Sequence, residues 1–318
     1  MVILVTGGAG FIGGNYLHFL AKTYPDARIV CLDSLSYSSN VSYIESLFDN
    51  SVIFERADIA DKLAVDLIFQ KYNPDYVIHF AAESHVDNSI NDYAPFIRTN
   101  IIGSINLFES ARQCKNLKKF VHVSTDEVYG SLSLDEPQGF LETDPYETNS
   151  PYSASKASSD CFARAFYKTY DVPIVITNCS NNYGPNQHKE KLIPTIINNA
   201  LNDNQIPVYG NGLNVRDWLF VLDHCRAINL VMENGKLGER YNIGGGVEVN
   251  NIDMVNKILD LLGKPKSLIT YVADRPGHDL RYSIDCSKIE HELGYKPLYD
   301  LESGLLKTLE WYQRDKNL

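Results

Sequence analysis

The sequence has no uninterrupted apolar run approaching the ~20 residues that cross a bilayer. Met1 to Val5 carries neither the basic flank nor the small-residue cleavage site of a secretory leader. A cytoplasmic protein is the expectation. Basic residues are scarce: 29 Lys and Arg against 40 Asp and Glu leave a formal charge of −11. That balance argues against nucleic acid or an anionic membrane as partner, because both need basic surfaces. A small anionic ligand would have to be held by local donors. Cysteine pairing is missing as well. Cys31, Cys114, Cys161, Cys179, Cys225 and Cys286 form no C-x-x-C pair and mostly sit in apolar stretches, so they read as buried thiols rather than disulfides or zinc ligands. The 8 histidines show neither H-x-x-x-H nor H-x-H spacing, and no metal site is expected. No repeat, low-complexity segment or long linker interrupts the 318 residues, a length suited to one large or two modest domains.

What is present is alternation. Short β-rich runs at Val2 to Val5, Arg28 to Leu32, Val52 to Glu55, Tyr76 to Ala81, Lys119 to Ser124 and Pro173 to Asn178 are separated by amphipathic stretches at Ile12 to Thr23, Asp61 to Lys71, Asn91 to Cys114 and Pro151 to Tyr170. Runs that are apolar on consecutive positions, such as Ile3-Leu4-Val5, belong to strands covered on both faces. The expected fold class is α/β: a Rossmann-type doubly wound parallel sheet, with a smaller C-terminal α/β substrate domain. Turn-rich sequence follows Asn178, so the division is set at residues 1–180 and 181–318, with 215–243 expected to return to the first domain.

The first strand runs into Thr6-Gly7-Gly8-Ala9-Gly10-Phe11-Ile12-Gly13 and then a helix. Gly8-x-Gly10-x-x-Gly13 satisfies the dinucleotide fingerprint, and Gly7 extends it. Such a turn brings backbone N–H groups and the positive end of a helix to a pyrophosphate. Asp33 ends the second strand 20 residues after Gly13. A carboxylate there accepts from ribose hydroxyls and repels a 2′-phosphate. Ser34-Leu35-Ser36-Tyr37 offers no Arg to hold one, so NAD is expected rather than NADP. Asp58-Ile59, just past the third strand, falls where the adenine would lie, with helix capping as the competing role for Asp58.

Ser150-Pro151-Tyr152-Ser153-Ala154-Ser155-Lys156 begins a helix, with Ser150 as cap and Pro151 in the first turn. Tyr152 and Lys156 then share one face. A neighbouring ammonium and a cationic nicotinamide would both favour the phenolate. Tyr312 and Lys316 repeat the spacing without cap or context and read as a solvated face. Thr125-Asp126-Glu127 ends an apolar strand, and two carboxylates there invite an acid/base division of labour. The competing reading makes Asp126 a cap and Glu127 a surface residue.

These motifs, together with Phe80-Ala81-Ala82-Glu83-Ser84-His85-Val86-Asp87, Asn178 to Pro185, Asn214 to Trp218 and Asp274 to Asp279, resemble those of the dTDP-glucose 4,6-dehydratase family. That family lies in the extended short-chain dehydrogenase/reductase superfamily, and the likeness runs in order along nearly the whole chain. The glycine loop and the Tyr/Lys pair mark only the superfamily. The Asp-Glu pair is the discriminating feature, since related epimerases and decarboxylases usually carry other residues there.

The resemblance implies NAD as a cofactor reduced and regenerated in each turnover, a sugar nucleotide (dTDP-glucose) as substrate and a homodimer built on Asn91 to Cys114 and Pro151 to Tyr170. Phe162 and Phe166 are candidates for the dimer face, with intramolecular core the simpler reading. The catalytic set implied is Thr125, Asp126, Glu127, Tyr152 and Lys156. Gly7, Gly10, Phe11, Ile12, Gly13, Asp33, Ser34, Leu35, Ser36, Asp58, Ile59, Phe80, Ala81, Ala82, Glu83, Ser84 and Thr99, with Tyr152, Lys156 and Asn182, would line the NAD site. Ser84, Thr125, Asn181, Lys191, Leu192, Pro207, Val208, Tyr209, Arg216, Asn251, Asp274, Arg275, Pro276, Gly277 and His278 would line the substrate site. Arg216 and Arg275 suit phosphate oxygens, with a surface ion pair as the alternative for each. His278 is expected to bind or brace rather than act as a base. The excursion Ser131 to Asp144 is short for the family. The alternatives kept are an epimerase or decarboxylase of the same superfamily and a non-catalytic sensor.

Overall fold

The structure, a computed structural model, describes residues 1–48 and 51–314. Seven strands form a wholly parallel sheet: β1 (Val2–Thr6), β2 (Arg28–Asp33), β3 (Val52–Arg56), β4 (Tyr76–His79), β5 (Lys119–Thr125), β6 (Ile174–Cys179) and, after three others in sequence, β10 (Arg240–Ile243). Their spatial order is β10-β6-β5-β4-β1-β2-β3. The chain winds outward from β1 to β3, crosses back to β4 and winds the other way, so the crevice for a ligand opens at the carboxyl ends of β1 and β4.

Side-chain alternation explains why the sheet is covered twice. Ile3 and Val5 pack with Tyr16, Leu17 and Ile228 on one face, and Leu4 packs with Val65, Leu107 and Phe166 on the other. All seven residues of β5 are buried. The expected α/β doubly wound sheet is therefore the one observed.

The smaller part holds β7 (Asn181–Tyr183), β9 (Val215–Phe220) and β11 (Glu248–Asn250) in one sheet, and β8 (Ile206–Tyr209) paired with β12 (Ile269–Val272) in another. Of the stretch 215–243, β9 pairs in the small sheet, while the Val221–Asn234 helix packs on Phe11–Thr23 and β10 joins the large sheet. The excursion after the acidic pair lies along the chain at 281–285: Leu132 N–H donates to the Arg281 carbonyl at 3.0 Å, and Phe140 N–H to that of Ser283 at 2.9 Å.

Three expectations need correction. The stretch Asn91 to Cys114 is not one helix. A short helix, Val86–Asn91, ends first. The chain then restarts at Ala94–Phe96, passes through a π-helical stretch Ile97–Gly103 and finishes as Ser104–Gln113. Pro95 has no N–H to give the preceding turn, and the Asp92 carboxylate accepts from Ala94 N–H at 3.0 Å, which begins the new helix. The cysteines are not uniformly buried, since Cys161 is exposed and Cys114 and Cys286 are half-buried; all six are free thiols. Tyr312 is buried and its hydroxyl donates to the Gln187 carbonyl, so it is no solvated face; Lys316 lies outside the described residues. Among the described residues no helix is long and apolar enough to cross a membrane.

Candidate active site

The turn after β1 is shaped by what glycine omits. Gly7 has φ +69°, and a Cβ on it would sit 2.6 Å from Ala81 N; a Cβ on Gly13 would run into the Gly7 carbonyl. The Phe11–Thr23 helix then begins on Gly10 with no side chain capping its free N–H groups, which leaves them to an anion. Asp33 braces this turn, accepting from Ala9 N–H at 2.9 Å, Leu35 N–H at 2.8 Å and the Ser39 hydroxyl at 3.0 Å. A carboxylate has about four acceptor positions, so room remains for a ribose hydroxyl. The bare turn, the uncapped helix and the acid together fit a dinucleotide.

The Pro151–Tyr170 helix starts as its sequence suggests. Ser150 caps Ser153 N–H at 3.0 Å, and the Ser153 hydroxyl accepts from Ser150 N–H in return. Tyr152 and Lys156 are both buried, and Lys156 Nζ donates to the Val123 carbonyl on β5 at 2.8 Å. The expected lowering of the Tyr152 phenol by Lys156 is not what dominates here. Burial and the Glu127 charge push it well above its ordinary value, and the Thr125 hydroxyl pulls the other way.

At the end of β5 the cap is Thr125, whose hydroxyl accepts from Glu127 N–H at 3.3 Å. Asp126 is therefore not spent on capping. It is 3% exposed, and its Oδ2 makes no hydrogen bond with the described residues. Burial, then Glu127 and Asp217, hold its carboxyl well above the usual carboxylate range. Glu127 is also raised by burial, but Arg275, Lys191 and Arg216 all pull it down. Both carboxyls are raised by burial, but the two neighbours differ in surroundings: Glu127 and Asp217 push Asp126 further up, while three cations oppose the rise of Glu127.

The cations come from the smaller part. Arg216, 4% exposed, donates to the carbonyls of Val215 at 2.7 Å and Asp279 at 2.9 Å and stacks on the Tyr282 ring at 4.2 Å. Lys191 Nζ donates to the Ser84 carbonyl at 2.7 Å. Arg275 Nη1 lies 3.5 Å from Asp87 Oδ1, and the Tyr209 hydroxyl donates to the same carboxylate at 3.1 Å. His278 Nδ1 lies 2.6 Å from Asp274 Oδ1. Among the described residues, no group of three His, Cys, Asp or Glu is placed to hold a metal ion.

One cleft of about 440 Å³ joins the glycine turn, the acidic pair, the Tyr152/Lys156 pair and Lys191. It is lined by Gly7, Gly10 to Gly13, Asp33, Ser34, Ser36, Asp58, Ile59, Phe80 to Ser84, Thr99, Thr125 to Glu127, Tyr152, Lys156, Asn181, Asn182 and Lys191. Leu35, Leu192, Pro207 to Tyr209, Arg216, Asn251 and Asp274 to His278 fall outside that lining. Sequence reasoning missed Ser38, Ser39, Arg98, Gln187, His188 and Glu190, which do line it. Arg98 Nη1 lies 2.7 Å from Asp58 Oδ2, and its place beside Thr99 was the available signal. Ser39 carried none, because its role depends on how the chain folds back onto Asp33.

A family model described as GDP-mannose 4,6 dehydratase matches residues 4–308. The dTDP-glucose 4,6-dehydratase of Salmonella typhimurium is 50% identical over 335 residues, covering 98% of this chain and 92% of that protein. The one from Haemophilus influenzae is 47% identical over 332 residues, covering 98% of each. Among solved structures, the dTDP-glucose 4,6-dehydratase of Bacillus anthracis in complex with NAD aligns with TM-score 0.92 at 45% identity, covering 99% of this chain and 97% of that one. The UDP-glucose 4-epimerase of Thermotoga maritima aligns with TM-score 0.91 at 30% identity, covering 99% of each. The backbone alone thus barely separates dehydratase from epimerase, while identity does, and this chain belongs to the dTDP-glucose 4,6-dehydratase family.

Proposed function

We propose that the protein is an NAD-dependent dTDP-glucose 4,6-dehydratase, a lyase that converts dTDP-glucose to dTDP-4-dehydro-6-deoxyglucose with loss of water. The observation that carries this reading is the adjacent carboxylate pair Asp126 and Glu127, set in one cleft with Tyr152 and a glycine turn. When bound, NAD supplies the hydride acceptor for C4 and the hydride donor for C6. Tyr152 takes the proton from the 4-hydroxyl, oriented by Thr125, while Lys156 holds the nicotinamide ribose. The resulting 4-ketone acidifies the C5 proton, which Glu127 removes. Asp126, its carboxyl raised by burial, gives its proton to the departing 6-hydroxyl, since hydroxide is too poor a leaving group to go unassisted. Arg216, Arg275 and Lys191 take the diphosphate. Residues 1–180 carry the cofactor side and 181–318 most of the sugar-nucleotide side.

Incubation of the purified chain with dTDP-glucose and NAD is expected to give a product lighter by one water and bearing a 4-ketone, read by mass spectrometry and NMR. A product of unchanged mass would support an epimerase instead, and no conversion of any hexose nucleotide would sink the catalytic reading. We further propose a homodimer. Tyr93, Ile97 and Ile102 on the composite helix and Phe162 on the Pro151–Tyr170 helix are large, apolar and exposed, whereas Phe166 is buried within the chain. Sedimentation equilibrium is expected to give twice the chain mass, and Ile97→Asp with Phe162→Asp the single mass; a monomeric wild type would remove the proposal.

A further inference from the structure

Behind the Tyr152/Lys156 pair lies a carboxylate to which neither the fold nor the proposed chemistry has yet given a task. Asp160 is fully buried and falls one helical turn beyond Lys156, as Lys156 falls one turn beyond Tyr152. Its Oδ2 accepts from the Tyr146 hydroxyl at 2.7 Å, the Ser124 hydroxyl at 2.9 Å and Asn178 Nδ2 at 3.3 Å. Asn178 also donates to the Thr125 carbonyl at 2.9 Å. One carboxylate thus ties the helix of Tyr152 to the strand ends that carry Thr125, Asp126 and Glu127. Its other oxygen, Oδ1, is buried and faces His122 Nε2 at 3.2 Å. A buried charge persists only where positive charge stands near it.

The surrounding titratable groups narrow the source of that charge. Burial lowers the His122 imidazole, with Asp160 pulling the other way. Burial raises the Asp160 carboxyl, yet its partners His122, Lys156 and Tyr146 outweigh burial and hold it below its usual range. Arg240 stacks on the Tyr146 ring at 4.5 Å and feels the Asp160 charge, and Tyr129 packs edge-on against the same ring. Facing Lys156 are His79 and His122, both lowered by burial, and the Cys179 thiol, which burial pushes up to about 12. Burial lowers the Lys156 ammonium, and Asp160 is the largest influence in the opposite sense. We propose that Asp160 is a positioning residue that serves as the buried counter-charge of Lys156, keeping it an ammonium in the closed interior of the site. This rests on the role given to Lys156 above.

The test is the pH dependence of Lys156 carbamylation by cyanate in the full chain, read by peptide mass spectrometry, because only the neutral amine reacts. Asp160→Asn is expected to move the midpoint to lower pH by about one unit, which is about tenfold faster labelling on the low-pH side. The alkaline limb of kcat should move down with it. Tyr146→Phe removes a hydrogen bond and leaves the charge, so its midpoint should stay at the wild-type value. Equal midpoints for Asp160→Asn and wild type, or equal shifts for Asp160→Asn and Tyr146→Phe, would overturn the proposal in favour of a merely structural role. If Asp160→Asn does not fold, combining it with Lys156→Met decides: a folded double variant supports the pairing, and continued failure overturns it. Lys156→Met alone separates the two readings. Normal turnover in it would sink the assignment of Lys156 itself, whereas an inactive Lys156→Met beside a wild-type midpoint in Asp160→Asn sinks only the counter-charge.

Discussion

Glu127→Gln is expected to lower turnover by about 10²–10⁴-fold, the usual worth of a general base, while the oxidation at C4 still occurs. The substitution keeps size and removes charge. Exchange of the C5 proton with solvent should stop, and the absorbance of reduced nicotinamide should build up because the sequence stalls at the 4-ketone. A second effect follows from sign. The Glu127 anion raises the Tyr152 phenol, so an uncharged Gln lets the phenol ionise at lower pH. The acid limb of the oxidation step should therefore move to lower pH in the variant. C5 exchange at the wild-type rate would show that another group is the base.

Tyr152→Phe is expected to remove the first step rather than the second, again by about 10²–10⁴-fold. The ring packs with Val86 and meets Phe96 edge-on, with centroids 6.3 Å apart, and Phe keeps both contacts, so folding should be little affected. Neither reduced nicotinamide nor C5 exchange should appear, since no ketone forms to acidify C5. Oxidation within a few-fold of wild type would show that Tyr152 is not the base and would reopen the sensor reading. The pair of variants is more telling than either alone: one stalls after hydride transfer, the other before it.

Much of this site was legible because its parts are local in sequence. The glycine turn, the Ser150 cap and the strand-end Asp126-Glu127 each need only neighbours within a few residues, and the chemistry of turns and caps operates at that range. What could not be read were consequences of distant contact. The difference between Asp126 and Glu127 depends on Asp217, Arg216, Lys191 and Arg275, brought in from 60 to 150 residues away. The break at Asp92 and Tyr93 had a visible cause in Pro95, but the helical periodicity on either side outweighed it. Asp160 drew no notice because a lone Asp inside a helix has the same appearance whether it faces solvent or a buried lysine.

Asp33 has one more implication. Its carboxylate holds Ala9, Leu35 and Ser39 in place, so the group expected to discriminate between the two nicotinamide dinucleotides is also the tether of the turn that would receive their phosphates. Cofactor preference is thereby welded to the shape of the binding loop. Redirecting the enzyme toward the phosphorylated dinucleotide would need a replacement for three backbone and hydroxyl contacts as well as a cation for the extra phosphate, a barrier that no single exchange at this position can cross.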